Sequence, residues 1–281
     1  MGSSPIVSTL YGAPMGTAYD VIQRFGSVED DQKYTRLVEL FTDDAVYCDP
    51  FAGAQRGKAA IAGFMGEMER VIPKMGVYFA NWETKADTHV GWSRWEMVVP
   101  VDGIEHPIKG QSLYRLRDGK VCFAADYVDS GAYRRIRPDR APDLGFAAAE
   151  NKGTSAGGPA ADLVRRFWEL QTSARYGELA ALFAPDSVFT DQVYGVFEGH
   201  AAVSAYLRRM ETEMPDEGVT FTLDDCGGEE TVAWSQWTCH VPNGSFPGWT
   251  LHTLRDGLFT LDSDYFDVVK ARQLHKARHT D

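Results

Sequence analysis

The chain of 281 residues repeats itself. Tyr34 recurs as Tyr176, and the same offset of 142 pairs Phe41 with Phe183, Asp44 with Asp186, Asp49 with Asp191 and Gly57 with Gly199. It runs on through Glu69/Glu211, Pro73/Pro215, Gly76/Gly218, Trp92/Trp234 and Trp95/Trp237 to Pro100/Pro242. Beyond that point the second copy is four residues shorter. An offset of 138 then aligns Leu116-Arg117-Asp118-Gly119 with Leu254-Arg255-Asp256-Gly257, and Asp126-Tyr127-Val128-Asp129 with Asp264-Tyr265-Phe266-Asp267. Such a period is far longer than a solenoid unit and reads as a duplicated domain. The expected division is copy one at 1–136, a linker at 137–159 and copy two at 160–281. The linker opens Arg137-Pro138-Asp139-Arg140-Ala141-Pro142 and continues in Ala, Gly, Ser and Pro, which offer little for a core.

Each copy reads in the same order. An amphipathic helix (Tyr19 to Phe25) precedes a second helical stretch, Tyr34 to Phe41, with Leu37, Val38 and Leu40 at helical spacing. A short strand follows at Ala45 to Asp49, or Ser187 to Asp191. A glycine turn leads into a further helix with apolar positions Ile61, Phe64, Met68, Val71 and Ile72, ended by Pro73 or Pro215. Three longer strands, an Arg-Asp-Gly hairpin turn and a last strand complete the copy. Helices first and an antiparallel meander after them predict an α+β fold. The expected architecture is two tandem cone-shaped domains, each a curved antiparallel sheet closed by its N-terminal helices.

Charge narrows the function. With 28 Lys and Arg against 40 Asp and Glu, the net charge is −12. No basic run is present to meet nucleic-acid phosphates or an anionic membrane surface. No apolar run reaches the ~20 residues of a membrane span. The N-terminus MGSSPIVSTLYG has no signal-peptide core, and Ile6 breaks the myristoylation pattern, so a cytoplasmic protein is expected. The cysteines (Cys48, Cys122, Cys226, Cys239) sit in strand-like runs without a C-x-x-C and are expected to be reduced and buried. The seven histidines lack metal spacing, so neither a metal nor a cofactor is called for.

Alternation along the strands selects the candidate site. Tyr47 and Asp49 share one face, and Trp92, Arg94 and Glu96 share another. Asp126 follows Cys122 and Ala124 on an otherwise small, apolar row, where a charge needs a partner or a raised pKa. Copy two repeats Asp191 and Asp264 but has Gln236 and Thr238 in place of Arg94 and Glu96. Asp49 and Asp191 stand before glycine turns and also read as turn residues. Asp129 and Asp267 read as helix N-caps. Glu69 and Glu211 flank the apolar helix stripe, where they are either solvated or, with Trp92 and Trp234, part of a substrate-binding set.

Taken together, the Tyr-x-Asp, Arg-x-Glu and Asp-Tyr-x-Asp strands resemble limonene epoxide hydrolase and its relatives. These include the SnoaL-type polyketide cyclases and the polyether epoxide-opening cyclases, all on the nuclear-transport-factor-two-like cone. The resemblance covers each copy nearly end to end. It implies that Asp126 is the general base on the attacking water, that Tyr47 helps hold that water, and that Arg94 bridges two carboxylates. Glu96 falls where a carboxylate protonates the opening epoxide, and Asp49 where the hydrolase has asparagine. The catalytic set so implied is Asp126, Glu96, Arg94, Asp49 and Tyr47, with Asp191 and Asp264 in copy two. The implied function is cofactor-independent acid/base catalysis on an apolar small molecule, by epoxide hydrolysis or intramolecular cyclisation in natural-product biosynthesis. An aldol cyclase, isomerase or dehydratase, and a non-catalytic binding or dimerisation module, are the alternatives. The copies are expected to pair within the chain, or the chain with a second copy of itself.

Overall fold

The computed structural model describes residues 17–139, 142 and 157–276. The readings of the first 16 residues and of most of the linker lie outside the described residues. Copy one comprises α1 (Ala18–Asp31), a 3-10 turn (Tyr34–Leu40), β1 (Phe41–Asp49), β2 (Gly53–Arg56) and α2 (Lys58–Met75). It continues with β3 (Tyr78–Ala86), β4 (Val90–Val101), β5 (Ile104–Arg117), β6 (Lys120–Val128) and α3 (Ser130–Ile136). Copy two repeats the plan with α4 (Pro159–Thr172), α5 (Tyr176–Leu179), β7 (Phe183–Asp191), β8 (Gly195–Glu198) and α6 (His200–Asp216). Its meander is β9 (Thr220–Gly228), β10 (Val232–Val241), β11 (Gly244–Arg255) and β12 (Leu258–Phe266), closed by α7 (Val268–Lys276).

Local chemistry accounts for these elements. Val21, Ile22, Phe25 and Val28 form one buried stripe of α1. The hairpin turns place Asp118-Gly119 and Asp256-Gly257 at positive φ in both central positions, the conformation that matches strand twist. Asp129 and Asp267 cap α3 and α7, accepting from the Ala132 and Lys270 amides at 2.8 and 3.0 Å. Two expectations change. Pro73 and Pro215 do not end their helices, which run to Met75 and Asp216. The chain leaves α2 through Gly76 in the left-handed region instead. The stretch before β1 is a 3-10 turn, and Phe41 already belongs to the strand.

Each sheet has six strands, in the orders β2-β1-β6-β5-β4-β3 and β8-β7-β12-β11-β10-β9. The sheets are mixed, not wholly antiparallel, because β1 runs parallel to β6 and β7 parallel to β12. The connection between each pair contains a helix and the meander, long enough to return the chain in the same direction. The inner face of each sheet is covered by that copy's helices. The outer faces meet one another, burying Trp92, Leu113, Phe123 and Tyr127 against Trp234, Trp249 and Leu251. Among the described residues, no helix is long and apolar enough to cross a membrane.

Candidate functional site

Each copy encloses a chamber between its helices and the inner face of its sheet. In copy one the chamber measures about 80 Å³ and is lined by Tyr47, Asp49, Trp95, Ser112, Tyr114 and Asp126 among apolar side chains. In copy two it measures about 410 Å³, with Asp191, Tyr206, Trp237, Asp264, Phe189 and Tyr176 in its wall.

The same three-residue chain holds the last-strand aspartate in both copies. In copy one the Trp95 indole N–H donates to Ser112 Oγ at 2.9 Å, and the Ser112 hydroxyl bonds Asp126. In copy two Trp237 donates to Thr250 Oγ1 at 2.9 Å, and the Thr250 hydroxyl donates to Asp264. The pairs 95/237, 112/250 and 126/264 keep the repeat register. Sequence reasoning did not single out Ser112, Thr250 or Tyr206. The signal available for the first two was a hydroxyl retained in both copies, on the strand beside the aspartate.

The tyrosine has changed sides. In copy one Tyr47 on β1 donates to Asp126. Its counterpart in copy two is Phe189, and the phenol comes from Tyr206 on α6, where copy one has Phe64. Tyr206 donates to Asp191 at 3.2 Å. Asp191 also accepts the Val193 and Tyr194 amides at 2.6 and 2.8 Å, so it is a turn residue and a chamber residue at once. Asp49 likewise accepts from Phe51 and Ala52, both at 2.8 Å.

Burial, the largest influence, pushes the Asp126 carboxyl up to about 7, against the lowering hydrogen bonds of Ser112 and Tyr47, with the nearby Asp49 adding to the rise. Asp264 is held well above the ordinary carboxyl range, by burial first and then by the charges of Asp262 and Asp191. Burial raises the Tyr206 phenol well above its usual value too, aided by Asp191 and Asp264.

Six of the expected site residues lie elsewhere. On β4 the inward residues are Ser93, Trp95 and Met97, so Trp92, Arg94 and Glu96 face the other way. Trp92 is fully buried between the copies, with its indole donating to the His252 carbonyl at 3.1 Å. Trp234 makes the matching bond to the Tyr114 carbonyl at 3.4 Å. Arg94 reaches Glu83 at 2.9 Å and Tyr265 of copy two, matching the bond from Gln236 to Tyr127. Glu96 is bonded to Asn81 at the periphery. Arg94 and Glu96 therefore do not join Asp126, and their loss in copy two removes nothing from its chamber. Glu69 takes the Thr35 amide and hydroxyl at 3.0 and 2.6 Å, which holds its carboxyl below the usual range. It ties α2 to the 3-10 turn, and Glu211 is an exposed residue against the Gly177 backbone. Neither lines a chamber.

Among the described residues, no three His, Cys, Asp or Glu side chains converge as a metal site. A family profile described as the SnoaL-like domain matches residues 22–124 and again 164–261. No curated protein matches the chain. Solved structures similar to it include an NTF2-like protein of unknown function from Mesorhizobium loti, at 21% identity and a TM-score of 0.34, over 38% of this chain and 90% of that one. Another, from Xanthomonas campestris pv. campestris, carries the provisional name polyketide cyclase, at 21% identity and a TM-score of 0.35, over 41% and 96% of the two chains. A hypothetical protein from Catenulispora acidiphila with a ketosteroid isomerase-like fold, in complex with trimethylamine, matches at 21% identity and a TM-score of 0.34, over 38% and 85%.

Proposed function

The chain belongs to the SnoaL-like domain family, twice over, and on that premise we propose that its second copy performs cofactor-free acid/base catalysis on an apolar small molecule. One observation carries the reading: two carboxyl groups in opposite bonding environments share one largely apolar chamber. Asp191 is an acceptor for two amides and a phenol, the bonding of a carboxylate. Asp264 stands in the largely apolar chamber wall and is biased toward its protonated form. A pair whose environments are driven apart supplies a base and an acid at one pH. Volume favours this copy, since about 410 Å³ suits a drug-sized ligand and about 80 Å³ holds a few water molecules at most.

The specific reaction is epoxide opening by a hydroxyl of the same substrate. Asp191 takes the hydroxyl proton as its oxygen attacks the ring carbon. The carbon–oxygen bond of the epoxide breaks, and Asp264 gives its proton to the departing oxygen. Proton exchange between the two carboxyls resets the site. Tyr206 holds Asp191 toward the substrate. The version in which Arg94 bridges Asp126 and Glu96 is dropped, because the last two are on opposite sides of the sheet.

The test is Asp264→Asn. Removing a positioned general acid costs ~10²–10⁴ in kcat, whereas Asp126→Asn leaves turnover within a few-fold. Full turnover by Asp264→Asn would overturn the reading. Product formed in ¹⁸O-water without label supports closure by the internal hydroxyl, and label in the product assigns hydrolysis instead.

A further inference from the structure

Beneath the wall of the second chamber lie sealed side chains that the proposed reaction does not use. Ser235 stands in the row of Thr250 and Asp264 on the inner face, and His252 and Asp262 stand one row below, the three on adjacent strands. Ser235 Oγ lies 3.1 Å from His252 Nε2, and His252 Nδ1 lies 3.0 Å from an Asp262 carboxylate oxygen. All three residues are 0% exposed. The imidazole approaches Asp262 off the line of its N–H. Among the described residues, neither Asp262 oxygen therefore has a hydrogen-bond partner. A sealed carboxyl without a hydrogen bond is expensive to keep.

The order Ser-His-Asp is that of a nucleophilic triad, but a nucleophile must meet its substrate. Ser235 is sealed and does not line the chamber. The effect of the group is electrostatic. Asp262 and Asp264 are two residues apart on one strand and point to the same face, their backbones about 7 Å apart. We infer that Asp262, held by His252, is a positioning residue that keeps the Asp264 carboxyl in its proton-donating form. This rests on the reading of Asp264 as the acid.

Copy one supplies the contrast. In the same rows it has Ser93, Tyr114 and Ala124, with the Tyr114 hydroxyl 3.3 Å from Ser93 Oγ and no second carboxyl on the strand. Burial raises its aspartate too, but only to about 7. The groups facing Asp264 are Asp191 from β7, Tyr206 from α6, Thr250 and His252 from β11, Trp237 from β10 and Asp262 from its own strand. Glu217 and Arg272 stand at the chamber wall beyond them. Of these, Asp262 is the acid that copy one lacks and that contacts no substrate.

The experiment uses the full chain with ¹³C-carboxyl-labelled aspartate, titrated by NMR. The resonance missing from Asp264→Asn identifies Asp264. In Asp262→Asn its midpoint should fall by at least about one pH unit. The alkaline limb of kcat should move down with it, since activity is lost as pH rises through the acid's pKa. The double variant Asp262→Ala/His252→Tyr places the copy-one residues in these rows and should read the same, which covers a failure of the single variant to fold. An unmoved midpoint overturns the inference whatever the activity does. A fallen midpoint, together with full turnover by Asp264→Asn, supports the coupling and fails the donor role instead.

Discussion

Asp126 and Asp264 occupy matching positions and are held by matching Trp–hydroxyl chains, yet their neighbours differ. Tyr47 donates to Asp126, whereas Asp262 and Asp191 press charge on Asp264. For Asp126 this has a consequence for stability. Its carboxyl is held at about 7 in the folded chain against an ordinary 3.8. The folded state thus keeps a proton that the unfolded chain gives up, and stability falls as pH rises from about 4 through 7. The cost is at most about 4 kcal/mol at pH 8. Asp126→Asn should therefore stabilise the protein at pH 8 and have little effect at pH 4, as read by urea unfolding at both. An equal change at the two pH values would contradict a buried, neutral-leaning carboxyl.

At the scale of the elements, β5 and β11 each carry a glycine where the neighbouring tryptophan crosses. A Cβ on Gly110 would stand 2.0 Å from the Trp95 ring, and one on Gly248 would stand 2.3 Å from Trp237. These close approaches let the indoles lie flat on the sheet and reach Ser112 and Thr250. Gly248→Ala should push Trp237 off Thr250, costing ~1–3 kcal/mol from overpacking. It should also lower kcat at least about 10-fold through the disturbed Asp264. Thermal unfolding and steady-state kinetics on one preparation check both. A stable, fully active variant would show that the tryptophan chain has no part in the site.

The whole molecule is two sheets back to back, tied by near-symmetric contacts. Asp87 accepts three amides and a hydroxyl of the turn at residues 230–232, while its counterpart Glu229 accepts the His89 and Val90 amides. A buried charged contact breaks the symmetry. Arg115 pairs with Asp225 at 3.0 Å, both side chains nearly sealed, and lies 4.3 Å over the Trp234 ring. The matching residues are Thr253 and Glu83, and Glu83 turns to Arg94 instead. Removing one partner of a buried pair strands the other charge, so Asp225→Ala should destabilise the chain by about 3–5 kcal/mol. Equilibrium unfolding with both copies monitored should show the loss; an unchanged midpoint would mean the Arg115–Asp225 pair adds nothing to the contact between the copies.

The sequence by itself determined the duplication, the order of elements, the Asp-Gly hairpins, the caps at Asp129 and Asp267 and the family. All of these are written in local chemistry or in identity between the copies. It also placed Tyr47, Asp49 and Asp126 correctly among residues that share a face. It could not say which face of β4 looks into the chamber. Period-two alternation separates Trp92 and Arg94 from Trp95, but normally a polar face then marks the outside. Here both faces are covered, one by helices and one by the other copy, so tryptophans are buried on each and the usual cue is gone. The tertiary structure decided that Arg94, Glu96, Trp92 and Trp234 belong to the contact between copies or its edge. It also decided that the roomier chamber is in copy two, and that Tyr206 reaches it from a helix that no pattern in the sequence joins to Asp191. Side-chain contact across strands and helices depends on packing partners distant in the chain, and those exist only once the chain has folded.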